Sequence, residues 1–248
     1  MPIDPADLGT IERVIALVIG VADQSAWEGQ HALPPASVSQ QGATRDAWGL
    51  ARALSGLCAV PTADLRVLAD AAAPADWAAS GTWAGVATAA AIRTELDAFV
   101  DKLAATPDAR GVLTFAGNGG VRSDGFVLAA QDTVDLAGAV TLDEVRAKLS
   151  AKLCGRGIVV VLDAAFEAAA PVLQDARLRA IPQPAGTANR HLLRAEDLLL
   201  AAAAPYRPAY ERKLGLAWRG TWSWALEAVI AQILELPAAD RATTTWGA

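Results

Sequence analysis

The sequence predicts an α/β domain built on a mainly parallel sheet, and three short runs carry that prediction. RVIALVIGV over Arg13–Val21, GVLTF over Gly111–Phe115 and IVVVL over Ile158–Leu162 are apolar and mostly β-branched, as strands buried on both faces must be. Segments with apolar residues at helical spacing lie between them. That alternation implies a sheet of about six strands with helices on both faces. In such sheets the working residues gather in loops beyond the carboxyl ends of strands.

Composition narrows the field further. The chain has 248 residues, 21 Lys+Arg against 27 Asp+Glu, a formal net charge of −6, 53% hydrophobic and 19% charged residues. This is ample material for one buried core, and too apolar for a disordered chain. Mean hydropathy is +0.28, with alanine as the main source. No charge-free apolar run approaches the roughly 18 residues of a spanning helix. The acidic opening MPIDPADLGTIER lacks the cationic start of a secretory signal, so a cytoplasmic protein is expected, with no membrane partner. A pI near 5.0 with no large basic cluster argues against nucleic acid. Cys58 and Cys154 are too few for a disulfide framework and are not spaced as zinc ligands.

The elements follow in order. After the first strand, Ala22–Gln41 is a polar, proline-containing loop, and Thr44–Leu57 repeats Ala47, Leu50, Ala51 and Leu54 at helical spacing. Asp64–Leu68 is a short strand, and Ala71–Gly85, with Pro74, Trp77 and Trp83, is a loop. Thr88 caps a helix through Ile92, Leu96, Phe99 and Leu103. The strand Gly111–Phe115 runs into a glycine-rich loop, GNGG, at Gly117–Gly120. Gly125–Ala130 is an edge strand, and Thr141 with Glu144 opens a helix to about Lys152 as a capping box. Ile158–Leu162 stops at Asp163, Pro171–Arg194 is an irregular loop, Leu198–Ala203 is a strand and Gly220–Leu234 a final helix. Trp218, Trp222 and Trp224 suit helix packing, whereas Trp77 and Trp83 in a loop suggest a partner surface. GNGG alone is no phosphate loop, lacking both the Walker lysine and dinucleotide spacing.

The loops after Phe115 and Leu162 resemble those of the caspase family, particularly its metacaspase and bacterial orthocaspase branches. The family's third strand ends in an S-G-H-G loop with the catalytic histidine; here the run is GVLTFAGNGG. Its fourth strand ends in D-A-C-[HF]-S-G with the nucleophilic cysteine; here the run is VVVLDAAFEA. GATRDAWGLARAL resembles the family's first helix, GVATAAAIRTEL its A-T-x-x-x-I helix, and GFVLAAQD its edge-strand turn. LLLAAAAPYRPAYER and GTWSWAL resemble its late A-A-x-x-x-Q-x-A-Y-E and G-x-F-T-x-A-L segments. The resemblance implies a caspase–haemoglobinase sandwich over residues 13–236, with an extension at 1–12 and a tail at 237–248.

It also implies that the dyad is gone. Asn118 stands where the histidine is expected and Ala165 where the cysteine is expected. A carboxamide does not titrate near pH 7, and losing a general acid–base costs about 10²–10⁴ in rate. A methyl group is no nucleophile. His31 and His191, the only histidines, are bases with no evident thiol beside them. What remains is a binding site in outline: Gly119 at the oxyanion position, and Asp163 where metacaspases and orthocaspases accept Arg or Lys. Asp23 and Asp132 are further pocket-like acids in loops. A carboxylate at a pocket floor favours a cationic side chain. The expectation is a catalytically inactive pseudoprotease that binds a protein or peptide, as a regulator or scaffold, with no cofactor and no metal. Two alternatives stand: an Arg/Lys-specific cysteine endopeptidase whose nucleophile has been replaced by Ala165, and a small-molecule sensor using the crevice at the strand ends.

Overall fold

A computed structural model describes residues 13–23, 42–57, 59–122, 125–134, 138–151, 157–167, 198–201, 211–214, 217–220, 223, 225–229 and 232. The 1–12 extension, the 237–248 tail, His31, His191, Cys58, Cys154, Trp222, Trp224 and the 171–194 loop lie outside the described residues.

Among the described residues, six strands run parallel. They are β1 (Arg13–Gly20), β2 (Leu65–Ala69), β3 (Thr82–Gly85), β4 (Ala109–Arg122), β7 (Ile158–Glu167) and β8 (Leu198–Ala201), in the spatial order β3-β2-β1-β4-β7-β8. Two antiparallel strands, β5 (Gly125–Leu128) and β6 (Val140–Thr141), complete an eight-stranded sheet. β1 pairs with β4 over residues 109–116 and β5 pairs with it over 119–122. Because β7 also pairs with Gly119 and Gly120, β5 takes over the edge of β4 that β1 vacates.

Period-two alternation sorts the side chains onto two helix layers. Ile15, Leu17 and Ile19 of β1, Leu113 and Phe115 of β4, and Val160 and Leu162 of β7 share one core. It is covered by α2 (Ala89–Ala104) through Ile92, Leu96, Phe99 and Leu103, and by α3 (Leu142–Ala151) through Val145 and Leu149. Ala16, Val18, Leu65, Val67, Val112 and Val161 face the other way, onto Ala47, Trp48, Leu50, Ala51 and Leu54 of α1 (Ala43–Leu57). Phe115 and Trp48 are each 2% exposed or less, and truncating either to alanine costs about 3–5 kcal/mol.

The helix starts follow the sequence. Thr88 accepts the N–H of Ala91 at 3.1 Å, and the Thr141 hydroxyl accepts that of Glu144 at 2.9 Å. Only half of the expected capping box forms, because the Glu144 carboxylate pairs instead with Arg93, 2.8 Å away on α2. Five expectations need correction. GNGG is not a loop: its glycines continue β4, held between β7 on one edge and β5 on the other. β7 does not stop at Asp163 but runs to Glu167 alongside it. The 71–85 segment holds a 3₁₀ turn at Ala75–Ser80 and the strand β3, and the edge beyond β5 belongs to β6. Gly220 ends a strand, β10 (Ala217–Gly220), paired with β9 (Glu211–Leu214), and among the described residues after it helix is found at 223, 225–229 and 232.

Trp77 is not a free surface group. It is 7% exposed and carries Arg45 and Arg52 of α1 over its ring at 5.2 and 5.5 Å. Trp83, 44% exposed, is tethered through its indole N–H to the Ala69 carbonyl. Among the described residues no helix is long and apolar enough to cross a membrane.

Two outcomes test this packing. A β-carbon on Gly20 would lie 2.4 Å from the Ala43 carbonyl oxygen and 2.7 Å from the Ala47 β-carbon. Gly20→Ala is therefore expected to destabilise by about 1–3 kcal/mol in urea unfolding, as overpacking does. At the other end of the sheet, Asp64 is 2% exposed and is held by Arg13 at 2.7 and 2.8 Å and by Lys102 at 2.7 Å. The Arg13 hydrogen bonds, with help from Lys102, hold its carboxyl below the usual range against the opposing effect of burial. A depressed folded value means stability that is present above the unfolded pKa and lost as pH falls through the folded one. Asp64→Asn should thus be less stable than the parent at neutral pH, with the gap closing in acid.

Candidate functional site

The site is assembled by the ladder between β4 and β7. Its register is unbroken from Gly111↔Ile158 to Gly120↔Glu167, and it sets Ala116 beside Asp163, Asn118 beside Ala165 and Gly119 beside Phe166. Asn118 and Ala165 are therefore neighbours across adjacent strands, roughly 4.8 Å apart in the hydrogen-bonding direction. Both lie past the point where β1 ends, marked by the Val21 N–H bonding to the Ala116 carbonyl at 2.9 Å. This is the carboxyl end of the sheet, next to the switch between β1 and β4. Asn118 is 9% exposed, and its carbonyl accepts the Ala129 N–H at 3.0 Å. Gly117 needs to be glycine: a β-carbon there would meet the Phe115 ring at 3.0 Å and the Val21 oxygen at 3.2 Å.

Asp163 is on the α1 side of the sheet and 5% exposed. Its Oδ2 accepts the Ser223 N–H at 2.9 Å and the Ser223 hydroxyl at 2.5 Å. Burial pushes the carboxyl above its ordinary pKa, and the two Ser223 hydrogen bonds only partly offset that. A second acid, absent from the sequence-based expectation, stands next to it. Asp46, in the first turn of α1 and 1% exposed, accepts the Gly220 N–H at 2.7 Å. Its signal was present in the chain: Asp46 shares the apolar stripe of Ala43, Ala47, Leu50 and Leu54, where a carboxylate needs a donor.

The other expected acids hold different posts. Asp132 is exposed, and its Oδ1 caps α2 by accepting the Ala89 N–H at 2.7 Å. Asp23 is exposed at the exit of β1, where its N–H and that of Ala22 each donate to Asp70 Oδ2 at 2.7 Å. Asp70, also unforeseen, accepts the Thr44 hydroxyl at 3.3 Å as well, so it ties the exit of β1 to the start of α1. Burial, with a further push from the charge of Asp23, raises its pKa against the pull of those donors. Gly119 sits within β4 between Phe166 and Leu128, where a loop had been expected. Among the described residues, no group of three or more His, Cys, Asp and Glu side chains is placed to hold a metal ion.

No family model matches the chain, and no curated protein does. Solved structures do. Caspase-1 from Spodoptera frugiperda superposes with a TM-score of 0.52 at 15% identity, over 94% of this chain and 77% of that one. The chain has a caspase-like fold. A protein of Geobacter sulfurreducens matches as well, with a TM-score of 0.52 at 17% identity over 89% of this chain and 82% of its own. At these identities the likeness concerns the path of the backbone, and the caspase-like sheet here is the six-strand parallel set with its helices on both faces.

Asp163 gives a test with a definite sign. Asp163→Ala leaves the Ser223 N–H and hydroxyl buried without an acceptor, at a cost of about 1–3 kcal/mol, while Asp163→Asn keeps an acceptor. With a folded pKa above the unfolded one, ionising Asp163 costs stability, and that cost is absent below the unfolded value and complete above the folded value. The stability of Asp163→Asn relative to the parent should rise with pH through that window, as read by urea unfolding at a series of pH values.

Proposed function

We propose that this caspase-like chain is catalytically silent and works by binding a protein or peptide, as a regulator or scaffold. One observation supports the reading above the others: the β4–β7 ladder sets Asn118 directly beside Ala165 at the carboxyl end of the sheet. Those are the positions at which the family resemblance expects the histidine and the cysteine. Their adjacency is what a dyad requires, and their chemistry is what a dyad cannot use. Proteolysis needs a thiolate and a base that takes and returns a proton near neutral pH. Asparagine offers a carboxamide and alanine a methyl group, so neither half of the exchange has a carrier.

Binding is the use left to such a site. Asp163 and Asp46 bring two carboxylates to the α1 side of the strand ends, and a cationic side chain of a peptide would find favourable charge there by displacing the Gly220 and Ser223 donors. Among the described residues, one cavity between the sheet and α2–α3, about 20 Å³ and lined by side chains such as Ile19, Leu113, Phe115, Val145 and Leu162, has the room of a single water and only apolar walls, so it offers a polar small molecule no anchor.

Peptide cleavage assays decide the matter. The parent chain is expected to leave Arg- and Lys-containing reporter peptides uncut at the background rate. The double replacement Asn118→His, Ala165→Cys is expected to gain thiol-dependent cleavage that either single replacement lacks. Cleavage by the parent that a thiol alkylator abolishes contradicts the proposal.

A further inference from the structure

Arg45 and Arg52 are exposed residues of α1, seven positions and about 10.5 Å apart along its axis. Both reach over the ring of Trp77, their guanidinium carbons 5.2 and 5.5 Å from its centroid. The indole comes from the 3₁₀ turn at Ala75–Ser80 and is packed into the apolar cluster under α1. It is a fixed floor over which two long side chains are held.

Elsewhere cations are matched by acids. Arg13 and Lys102 hold Asp64, Arg66 holds Glu95, Arg93 holds Glu144, and Lys148 holds Asp97. Among the described residues Arg45 and Arg52 have an indole in place of a carboxylate. Asp76, exposed and next to Trp77 in the chain, pairs with neither, and Asp46, next to Arg45, is buried and turned to the Gly220 N–H. A ring contact uses none of the five in-plane N–H donors of a guanidinium. It restricts where the fork points and leaves the donors open to an acceptor. A carboxylate is the planar, two-oxygen group that such a fork fits bidentately. Holding both forks in place beforehand removes part of the side-chain ordering that weakens ordinary surface ion pairs.

The charge of the whole chain narrows the choice of anion. At a formal net charge of −6 it repels a long polyanion, and two cations displace too few counterions to hold nucleic acid or an anionic membrane. A short acidic stretch of a protein needs only the local match.

The geometry points to Arg45 and Arg52, poised over Trp77, as a docking surface for an acidic peptide segment of a partner protein, whose Asp or Glu carboxylates the two forks receive. This surface does not rest on residues 118 and 165 being silent, and it is tested apart from them. A decaglutamate peptide is titrated into the full ¹⁵N-labelled chain at about 20 mM salt and followed by NMR. Saturable shifts are expected at the Arg45 and Arg52 Nε–H and the Trp77 indole N–H, with Arg66 and Arg93, already paired, unmoved. Decaglutamine should move none of them. Arg45→Gln with Arg52→Gln should raise the peptide Kd about tenfold, and either change alone about threefold. Raising the salt to about 0.3 M should remove most of the binding. Shifts as large at Arg66 and Arg93, an unchanged Kd in the double variant, or a ten-nucleotide DNA strand bound more tightly than decaglutamate each overturn the proposal. The comparison of arginines within the parent chain needs no mutation, so it decides even where a variant fails to fold.

Discussion

Everything at the candidate site depends on how β7 lies against β4. A parallel ladder has a side-chain period of two, so sliding one strand by a single residue carries every side chain to the opposite face. Here that slip would turn Val160, Leu162 and Ala164 out of the core under α2 and α3. It would also drive Asp163 into that core, away from Ser223 and toward Leu113 and Phe115. Burying an uncompensated carboxylate there costs far more than any gain in backbone pairing. The apolar alternation of β7 thus fixes the register, and the register in turn sets Asn118 beside Ala165.

The second constraint is electrostatic. Three acids, Asp46, Asp70 and Asp163, lie around the start of α1 and the carboxyl ends of β2 and β7. The amino end of a helix favours negative charge, which suits Asp46 in the first turn of α1 and Asp70 on the Thr44 hydroxyl. Backbone N–H groups offset part of the cost of burial: Ala22 and Asp23 for Asp70, whose Oδ1 is left without a hydrogen-bond partner, Gly220 for Asp46, and Ser223 for Asp163. The carboxylates therefore organise the chain around the strand ends. A partner that needs their charge has to compete with the protein's own backbone.

The parts of this architecture that were legible in the sequence are those set by local periodicity. RVIALVIG and IVVVL announce buried strands, the Thr88 cap marks the start of α2, and Thr141–Glu144 marks α3. What was not legible depends on partners distant in sequence. GNGG reads locally as a turn and becomes strand because β7 and β5 hold its two edges. TWAG is too short and too glycine-bearing to declare β3 without β2 beside it. Asp132 reads as a loop acid in a pocket region, and its carboxylate joins Thr88 at the start of α2 by accepting the Ala89 N–H. Asp163 stood out in the sequence as the acid that follows the apolar run IVVVL, whereas its neighbour Asp46 was hidden by an ordinary helix pattern whose buried stripe it shares.

The central claim is the adjacency of residues 118 and 165, and a NOESY spectrum of the isotope-labelled chain addresses it without mutation. Backbone proton contacts linking Asn118 to Ala165 and its immediate neighbours, alongside those linking Leu113 to Val160, are the expected result. Contacts that join Asn118 to a different stretch of chain, or to β7 at a shifted register, would contradict the account at its root.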